Sequence, residues 1–256
     1  SYGLSDSIII ASVNKKTGEM KLTSIMRDTW VAIPGKKSKH KINSANAYGG
    51  PKLLMKTINE NFDMNLTNYV FVDFVGFPYI IEKVGGVDID ITKTEMYYIN
   101  VFVNDVPKRN YSKNTNFSRL RKYGENTHLT GMQALAYSRI RSTAGSDFKR
   151  TERQRNVLSS LFKKVKSQGG FNLISTATAV MPMVRTNVGV PDIISLGTKV
   201  LSSDFDNMKE FRIPMDGLYK SDKINGQAVL VPDLDKNKHA LYDFIYGTEQ
   251  TQSQNK

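Results

Sequence analysis

Apolar residues recur along this chain in two alternating patterns, one with the two-residue period of a β-strand and one with the spacing of an amphipathic helix. Ser7–Val13 and Met20–Met26 predict two strands that pair as a hairpin. Further strands are predicted over Tyr69–Phe74, Val87–Ile91, Glu210–Met215 and Gln227–Val231, and helices over Gly50–Phe62, Val75–Val84, Thr130–Tyr137, Glu152–Lys166, Phe171–Val184, Pro191–Ser202 and Asp235–Tyr246. This alternation predicts an α/β sandwich.

The segment Thr92–Asn126 shows neither pattern. Its Tyr, Asn, Lys and Arg residues predict a long loop or insertion, and loops of this length are often functional. No repeat or linker divides the rest, so we expect a single domain over residues 1–246 followed by a polar tail at residues 247–256. The first strand begins almost at the first residue, which is not Met, and this predicts that a leader precedes the domain.

The charge and the absence of cysteine restrict the possible functions. The chain has 36 Lys and Arg residues against 24 Asp and Glu, a formal net charge of +12, and no Cys. Disulfide scaffolds, thiolate zinc sites and cysteine nucleophiles are therefore excluded. The positive charge predicts an anionic partner, and nucleic acid, phosphorylated lipid, polyanionic polymer and anionic membrane all meet that condition.

Arginine is concentrated in one part of the sequence. Five of the eleven arginines are Arg139, Arg141, Arg150, Arg153 and Arg155. Arginine binds phosphate through a planar fork of donors and keeps its charge at any accessible pH. The cluster is therefore a sharper signal for phosphate than the scattered lysines.

The position of these arginines on the predicted helix strengthens the signal. The apolar face that contains Val157 and Leu161 continues towards the helix N-terminus through Gln154, Arg150 and Asp147. Helix N-termini favour anions. The same spacing also permits a purely structural ion pair between Arg150 and Asp147.

Two shorter polar clusters are candidates for the same chemistry. Arg139 and Arg141 are two residues apart, with Ile140 predicted to point inward, and can clamp one pyrophosphate. Arg27 and Asp28 follow an apolar strand, where ligands of α/β sheets commonly bind, although a turn salt bridge fits them equally well. Asp6 precedes the first strand and is either a solvent-side residue or a ligand of a hard cation.

These blocks resemble the LytR-CpsA-Psr family of Gram-positive cell envelopes. Each block alone is weak, but together they are specific because they occur in order at suitable spacing. The resemblance is carried by Ser5–Ile9 (SDSII), Ser24–Thr29 (SIMRDT), Lys41–Ala45 (KINSA), Tyr48–Gly50 (YGG), Val84–Val87 (VGGV), Leu129–Arg141 (LTGMQALAYSRIR) and Asp147–Arg155 (DFKRTERQR).

The resemblance implies a central mixed β-sheet flanked by helices, with an apolar groove for a lipid. It also implies a membrane-anchored phosphotransferase on the extracellular face of the membrane, which moves a glycopolymer from a polyprenyl pyrophosphate carrier to peptidoglycan, with Mg²⁺, or Mn²⁺, as cofactor. By motif, the pyrophosphate ligands are Arg27, Arg139, Arg141, Arg150 and Gln154, and the metal ligand is Asp6. The expected catalytic set is Arg27, Asp28, Arg139, Arg141 and Asp147.

The acceptor implied is the C6 hydroxyl of N-acetylmuramic acid, and Asp28 and Asp147 are alternative candidates for the general base or for orienting an arginine. The segment Thr92–Asn126 is expected to border the acceptor groove. Two family features differ: Leu4 and Met26 occupy places where Arg and Pro are usual. The family also carries a Gly-x-Asp-x-Arg motif, with a second metal-binding Asp, on a strand upstream of Ser5.

Two other functions are alternatives to the transferase. A nucleic-acid binder is disfavoured because the aromatic residues lie mainly in apolar runs and no helix-turn-helix pattern occurs, so nucleic acid is not an expected partner. A non-catalytic binder of anionic wall polymer or phospholipid remains the alternative, since scattered lysines suit a polyanion.

Overall fold

The computed structural model describes residues 2–111, 115–141, 146–189 and 204–247, together with residues 192 and 195. The chain forms two compact units. The first consists of Ser1–Val13, Met20–Tyr69 and Met208–Lys256, and the second of Asn14–Glu19 and Val70–Asn207. Among the described residues, no helix combines the length and the apolar character needed to cross a membrane.

The first unit contains three small sheets. The predicted hairpin is confirmed, because Val13 lies opposite Met20 across an antiparallel pair of strands. The three-stranded sheet consists of β1 (Ile9–Val13), β2 (Glu19–Ile25) and β9 (Asp204–Ile213), and the two-stranded sheets of β3 (Trp30–Ala32) with β4 (Lys39–Lys41) and β10 (Tyr219–Ile224) with β11 (Gln227–Pro232). A parallel bridge between Thr29 and Leu230 connects the last two sheets.

The described part of the first unit also contains the helices α1 (Ser44–Phe62) and α7 (Leu234–Tyr246). Helix α1 is kinked at Gly49 and Gly50, where Gly50 has a positive φ of 70°, and Pro51 restarts the helix with its fixed φ. The kink explains why periodicity predicted the helix only from Gly50. The core of the unit is made of Ile8, Ile10, Ile25, Val31, Ile42, Ile58, Phe62, Ile213 and Leu241.

The second unit is mainly helical. Its helices are α2 (Gly76–Lys83), α3 (Lys93–Asp105), α4 (Gly131–Arg139), α5 (Ser146–Ser167) and α6 (Gly169–Val180), and its strands are β5 (Val70–Val72), β6 (Val87–Ile91), β7 (Gly124–Leu129) and β8 (Val184–Thr186). Strand β6 pairs with β7, and β5 with β8, both antiparallel. The core includes Ile81, Val87, Ile99, Val103, Leu129, Leu135, Tyr137, Ile140 and Val157.

Helix α4, which ends in Arg139, is fixed at its N-terminus by a reciprocal cap. The Thr130 hydroxyl accepts from the backbone N–H of Gln133, whose side chain accepts from the backbone N–H of Thr130 at 2.9 Å. Gly131 lies directly against the carbonyl of Pro78 in α2, at a distance that leaves no room for a Cβ atom. The predicted helix start at Thr130 is confirmed, and the glycine permits the close packing of α4 on α2.

The expectation of a loop or insertion over Thr92–Asn126 is wrong for Lys93–Asp105, which is helix α3, whereas residues 106–111 and 115–123 contain only a short 3₁₀ turn at Lys108–Asn110. Thr92 caps α3 through a capping box with Glu95, and Ile99 and Val103 of this helix are buried in the core. The apolar face of α3 is short and is interrupted by Tyr and Asn residues, so the periodicity of apolar residues did not predict this helix. Helix α3 is therefore part of the framework of the second unit.

Other differences concern boundaries and exposure. Helix α5 begins at Ser146 rather than Glu152, and strand β10, which the sequence analysis did not predict, pairs with β11 across a turn at Asn225. The run Tyr69–Phe74 was expected to be a buried strand, but only Val70–Val72 is a strand and Val70 is 69% exposed. The predicted helix Pro191–Ser202 and the tail lie outside the described residues, apart from residues 192, 195 and 247.

Candidate functional site

In the first unit, four charged side chains form a continuous line beyond the end of β2. Arg27 Nη1 donates to Asp6 Oδ1 at 2.6 Å, and Arg27 Nε lies 3.4 Å from Asp28 Oδ2. Lys41 Nζ lies 2.7 Å from Asp28 Oδ1. All four side chains are partly exposed. The turn salt bridge considered for Arg27 and Asp28 is present, and it extends to Asp6 and Lys41, which gives two carboxylates alternating with two cations.

The backbone holds this line in place from both sides. The Asp28 carbonyl accepts from the backbone N–H of Leu230 at 3.0 Å, and the Arg27 carbonyl from that of Asn43 at 3.3 Å. Both hydrogen bonds join the turn to distant parts of the chain. The side chains of Arg27 and Asp28 therefore start from a fixed backbone, as a binding site requires.

The metal ligand expected from the resemblance, Asp6, fits Mg²⁺ as one ligand of several. No group of three or more His, Asp or Glu side chains suited to a metal occurs among the residues that the structure describes. Mg²⁺ often takes only one or two carboxylates and completes its shell with phosphate oxygens and water. Nearby, Ser5 Oγ and Asn43 Oδ1 are buried oxygens without a hydrogen-bond partner in the structure, so the donors around Asp6 are of the type a hard cation prefers.

In the second unit, Asp147 lies between two of the predicted arginines. Asp147 Oδ1 is 2.9 Å from Arg150 Nη1 and 3.9 Å from Arg141 Nε. The Arg150 side chain is only 2% exposed, whereas that of Arg141 is 48% exposed. The inward direction predicted for Arg150 is confirmed, and the ion pair with Asp147 is present. Gln154, one turn further along α5, is half-buried.

Arg139 is exposed and stacks on aromatic rings. Its guanidinium carbon lies 4.3 Å from the centroid of Phe74 and 5.4 Å from that of Phe102. Burial raises the pKa of Tyr111, and the nearby charge of Arg139 opposes part of that rise. Ile140 is buried, as predicted, so the two arginines that flank it lie on the exposed side of the chain. Stacking limits the directions in which Arg139 can point.

A buried ion pair behind these arginines was not predicted. Arg153 Nε donates to Glu95 Oε1 at 2.8 Å, and Arg153 Nη1 donates to the carbonyl of Ile140 at 3.3 Å. Burial raises the pKa of Glu95, but hydrogen bonds from Thr92 and Arg153 outweigh burial and hold it below its ordinary value. The capping-box spacing of Thr92 and Glu95 was a readable signal for α3, but nothing in the sequence pointed to the partner of Glu95.

The chain matches the LytR_cpsA_psr family over residues 2–243. It belongs to that family. The family resemblance drawn from the sequence blocks is thereby confirmed, while the roles of the individual residues stay predictions.

Among the similar proteins, some are named as regulatory proteins and others as transferases. The chain is 33% identical over 245 residues to "Regulatory protein MsrR" of Staphylococcus aureus (strain Mu50), covering 94% of this chain and 68% of that protein. It is 32% identical over 224 residues to "Polyisoprenyl-teichoic acid--peptidoglycan teichoic acid transferase TagU" of Bacillus mycoides, covering 87% of this chain and 67% of that protein.

Solved structures agree with the fold. Bacillus subtilis TagV superposes with a TM-score of 0.73 at 25% identity, covering 95% of this chain and 90% of the other. A structure described as TagT bound to LI-WTA gives a TM-score of 0.73 at 26% identity, covering 94% and 85%. The α/β class predicted from the sequence is confirmed, and the described strands are distributed over several small sheets.

Proposed function

We propose that this protein is a phosphotransferase that attaches a glycopolymer, such as a teichoic acid, a capsular polysaccharide or another secondary wall polysaccharide, to peptidoglycan from a polyprenyl pyrophosphate carrier. The observation that carries the proposal is family membership over residues 2–243, together with the similarity to TagU, which is named a teichoic acid transferase. The grouping of Arg141, Asp147 and Arg150 supports it, since clustered guanidiniums bind pyrophosphate well.

The proposed reaction exchanges a phosphoanhydride bond of the carrier for a phosphoester bond to the acceptor. The C6 hydroxyl of N-acetylmuramic acid attacks the phosphorus next to the polymer sugar, and a new P–O bond forms. The bond from that phosphorus to the bridging oxygen breaks, and polyprenyl phosphate leaves with the bonding electrons. The hydroxyl proton passes to a base, for which Asp28 and Asp147 remain the candidates. Such reactions are catalysed mainly by positioning and charge neutralisation.

We assign Arg139, Arg141, Arg150 and Gln154 of the second unit to the donor pyrophosphate. Arg139 and Arg141 are exposed, while Arg150 is buried beside Asp147. In the first unit, Arg27 is assigned to donor phosphate, with Asp28 and Asp6 holding its guanidinium. Each guanidinium has five N–H donors, so a carboxylate partner leaves others for phosphate.

Asp6 is the residue of this chain that we assign to Mg²⁺, or Mn²⁺ in its place. When bound, the ion would neutralise charge on the phosphate oxygens. The Asp6 carboxylate also forms an ion pair with Arg27, so it would contact both the Arg27 guanidinium and the metal ion.

The donor and acceptor place the reaction at the outer face of the cell membrane. A polyprenyl carrier is a membrane lipid, and peptidoglycan lies outside the membrane. We therefore propose an extracellular location, with a membrane anchor upstream of the chain, and an apolar groove for the lipid.

Release of polyprenyl phosphate tests the proposal. The protein is incubated with a polyprenyl-pyrophosphate-linked glycopolymer and peptidoglycan, with Mg²⁺ or with a chelator, and the released lipid phosphate and wall-bound polymer are quantified. We expect Mg²⁺-dependent release in wild type and its loss in Arg139→Ala/Arg141→Ala. Binding of polymer without any release would instead support the non-catalytic binder.

A further inference from the structure

The ion pair of Glu95 and Arg153 has no part in the proposed reaction, although it lies directly behind the arginines. Both side chains are nearly buried, at 11% and 7% exposed. Arg153 donates from Nε to the Glu95 carboxylate and from Nη1 to the Ile140 carbonyl. Ile140 is the residue between Arg139 and Arg141, so Arg153 holds the peptide on which both depend.

Glu95 is itself fixed on its other side. The backbone N–H and the hydroxyl of Thr92 donate to Glu95 Oε2 at 3.0 and 2.9 Å. The carboxylate therefore uses one oxygen for the start of α3 and the other for Arg153. This gives a series of hydrogen bonds from the framework helix α3 through Glu95 and Arg153 to Ile140.

The position of Ile140 makes this contact important. Helix α4 ends at Arg139, and carbonyl groups at a helix C-terminus lack partners within the helix. Without Arg153, the Ile140 carbonyl would have to find another donor, and the peptide between the two arginines would be free to rotate. A lysine at position 153 could not replace the fork, because an ammonium group lacks its fixed pair of donors.

We propose that Glu95 and Arg153 are positioning residues that hold Arg139 and Arg141 in the orientation that binds pyrophosphate. This inference rests on the proposed function, because it takes the ligand of the two arginines from there. A buried ion pair contributes little to stability compared with apolar residues of similar size, so stability alone does not explain it.

Binding of radiolabelled inorganic pyrophosphate to the full chain tests the inference. Glu95→Gln and Arg153→Lys are compared with wild type and with Glu152→Gln, which removes a carboxylate from an exposed pair with Lys149 on the same helix as Arg153. We expect about tenfold weaker binding for Glu95→Gln and Arg153→Lys, the lower end of what the loss of a supporting residue costs. Glu152→Gln should bind like wild type.

A double-mutant cycle separates positioning from a merely structural role. In an Arg139→Ala/Arg141→Ala background, Glu95→Gln should weaken the residual binding by less than about twofold, because the groups it positions are gone. An equal tenfold effect in both backgrounds would overturn the inference, as would wild-type affinity in Glu95→Gln. If instead Arg139→Ala/Arg141→Ala binds pyrophosphate like wild type, the proposed function itself fails at this site, and the inference with it.

A second variant covers the case in which Glu95→Gln does not fold. Glu95→Leu/Arg153→Met removes both charges and leaves neither partner alone in the core. We expect it to unfold cooperatively near the wild-type midpoint while binding pyrophosphate about tenfold more weakly. Wild-type affinity in this folded variant would overturn the inference.

Discussion

A substitution of Arg150 can distinguish the two roles that the sequence permits for this residue, a phosphate ligand or a partner in a structural ion pair. We predict that Arg150→Met weakens pyrophosphate binding by at least tenfold, since a hydrogen bond to a charged group contributes about 1.5–3 kcal/mol. The free energy of unfolding should change by no more than about 1 kcal/mol. Met fills the volume of the buried stem, and Asp147, whose side chain is 34% exposed, keeps its carboxylate in contact with water.

The assay combines two measurements on each variant, pyrophosphate binding by isothermal titration and unfolding in urea. Arg155→Met is the matched control, because Arg155 is also buried on α5 but is not assigned to the ligand. We expect the control to bind like wild type. An Arg150→Met protein that loses stability but binds pyrophosphate normally would falsify the phosphate role and support the structural ion pair. Equal losses of affinity in both variants would show a general effect of altering α5.

Three further predictions concern neighbouring parts of the second unit. Phe74→Leu removes the ring under Arg139 and should weaken pyrophosphate binding by about two- to fivefold, the range of an exposed cation–π contact. The control Phe71→Leu removes a ring beside a different arginine, Arg185, and should leave binding unchanged. Equal effects of the two substitutions would exclude a specific role of the contact between Phe74 and Arg139. Gly131→Ala places a methyl group against the backbone of α2 and should lower the free energy of unfolding, measured in urea, by about 1–3 kcal/mol. An unchanged urea midpoint would contradict that contact. Burial raises the pKa of Tyr137 to about 12, above its ordinary value of 10.0. Its contribution to the free energy of unfolding is therefore complete below pH 10 and should fall by about 2–3 kcal/mol by pH 12. The free energy of unfolding of Tyr137→Phe should decline correspondingly less over this pH range, and a decline identical to that of wild type would refute the assignment.

The sequence predicted those elements whose patterns are complete within a few turns. The hairpin of β1 and β2 and the start of α4 at Thr130 follow from alternation and from a capping residue, and both are confirmed. Helix α3 was missed because its buried residues, such as Ile99 and Val103, are diluted by Tyr and Asn. Local patterns identify elements well when the apolar stripe is continuous and poorly when other residues interrupt it.

The same limit applies to the site. The inward position of Arg150 could be predicted, because it continues the stripe of its own helix. The partner of Arg153 could not, since Glu95 lies 58 residues away on a helix that the pattern did not reveal. A run of apolar residues also does not show whether each side chain is buried. Phe74 was expected in a buried strand, but it is 43% exposed and its ring contacts the Arg139 guanidinium. Contacts between distant elements depend on tertiary packing, which a single sequence does not display.

The division between exposed and buried arginines bears on how such a site is built. Arginine cannot lose its proton inside a protein, so every buried guanidinium needs acceptors. Asp147 forms an ion pair with Arg150, and Glu95 accepts a hydrogen bond from Arg153. Because such pairs contribute little net stability, they are better explained by the groups they hold in position than by the energy they add. If the proposed function is correct, the net charge of +12 indicates only the sign of the ligand, and carboxylates such as Asp147 and Glu95 would orient particular arginines towards it.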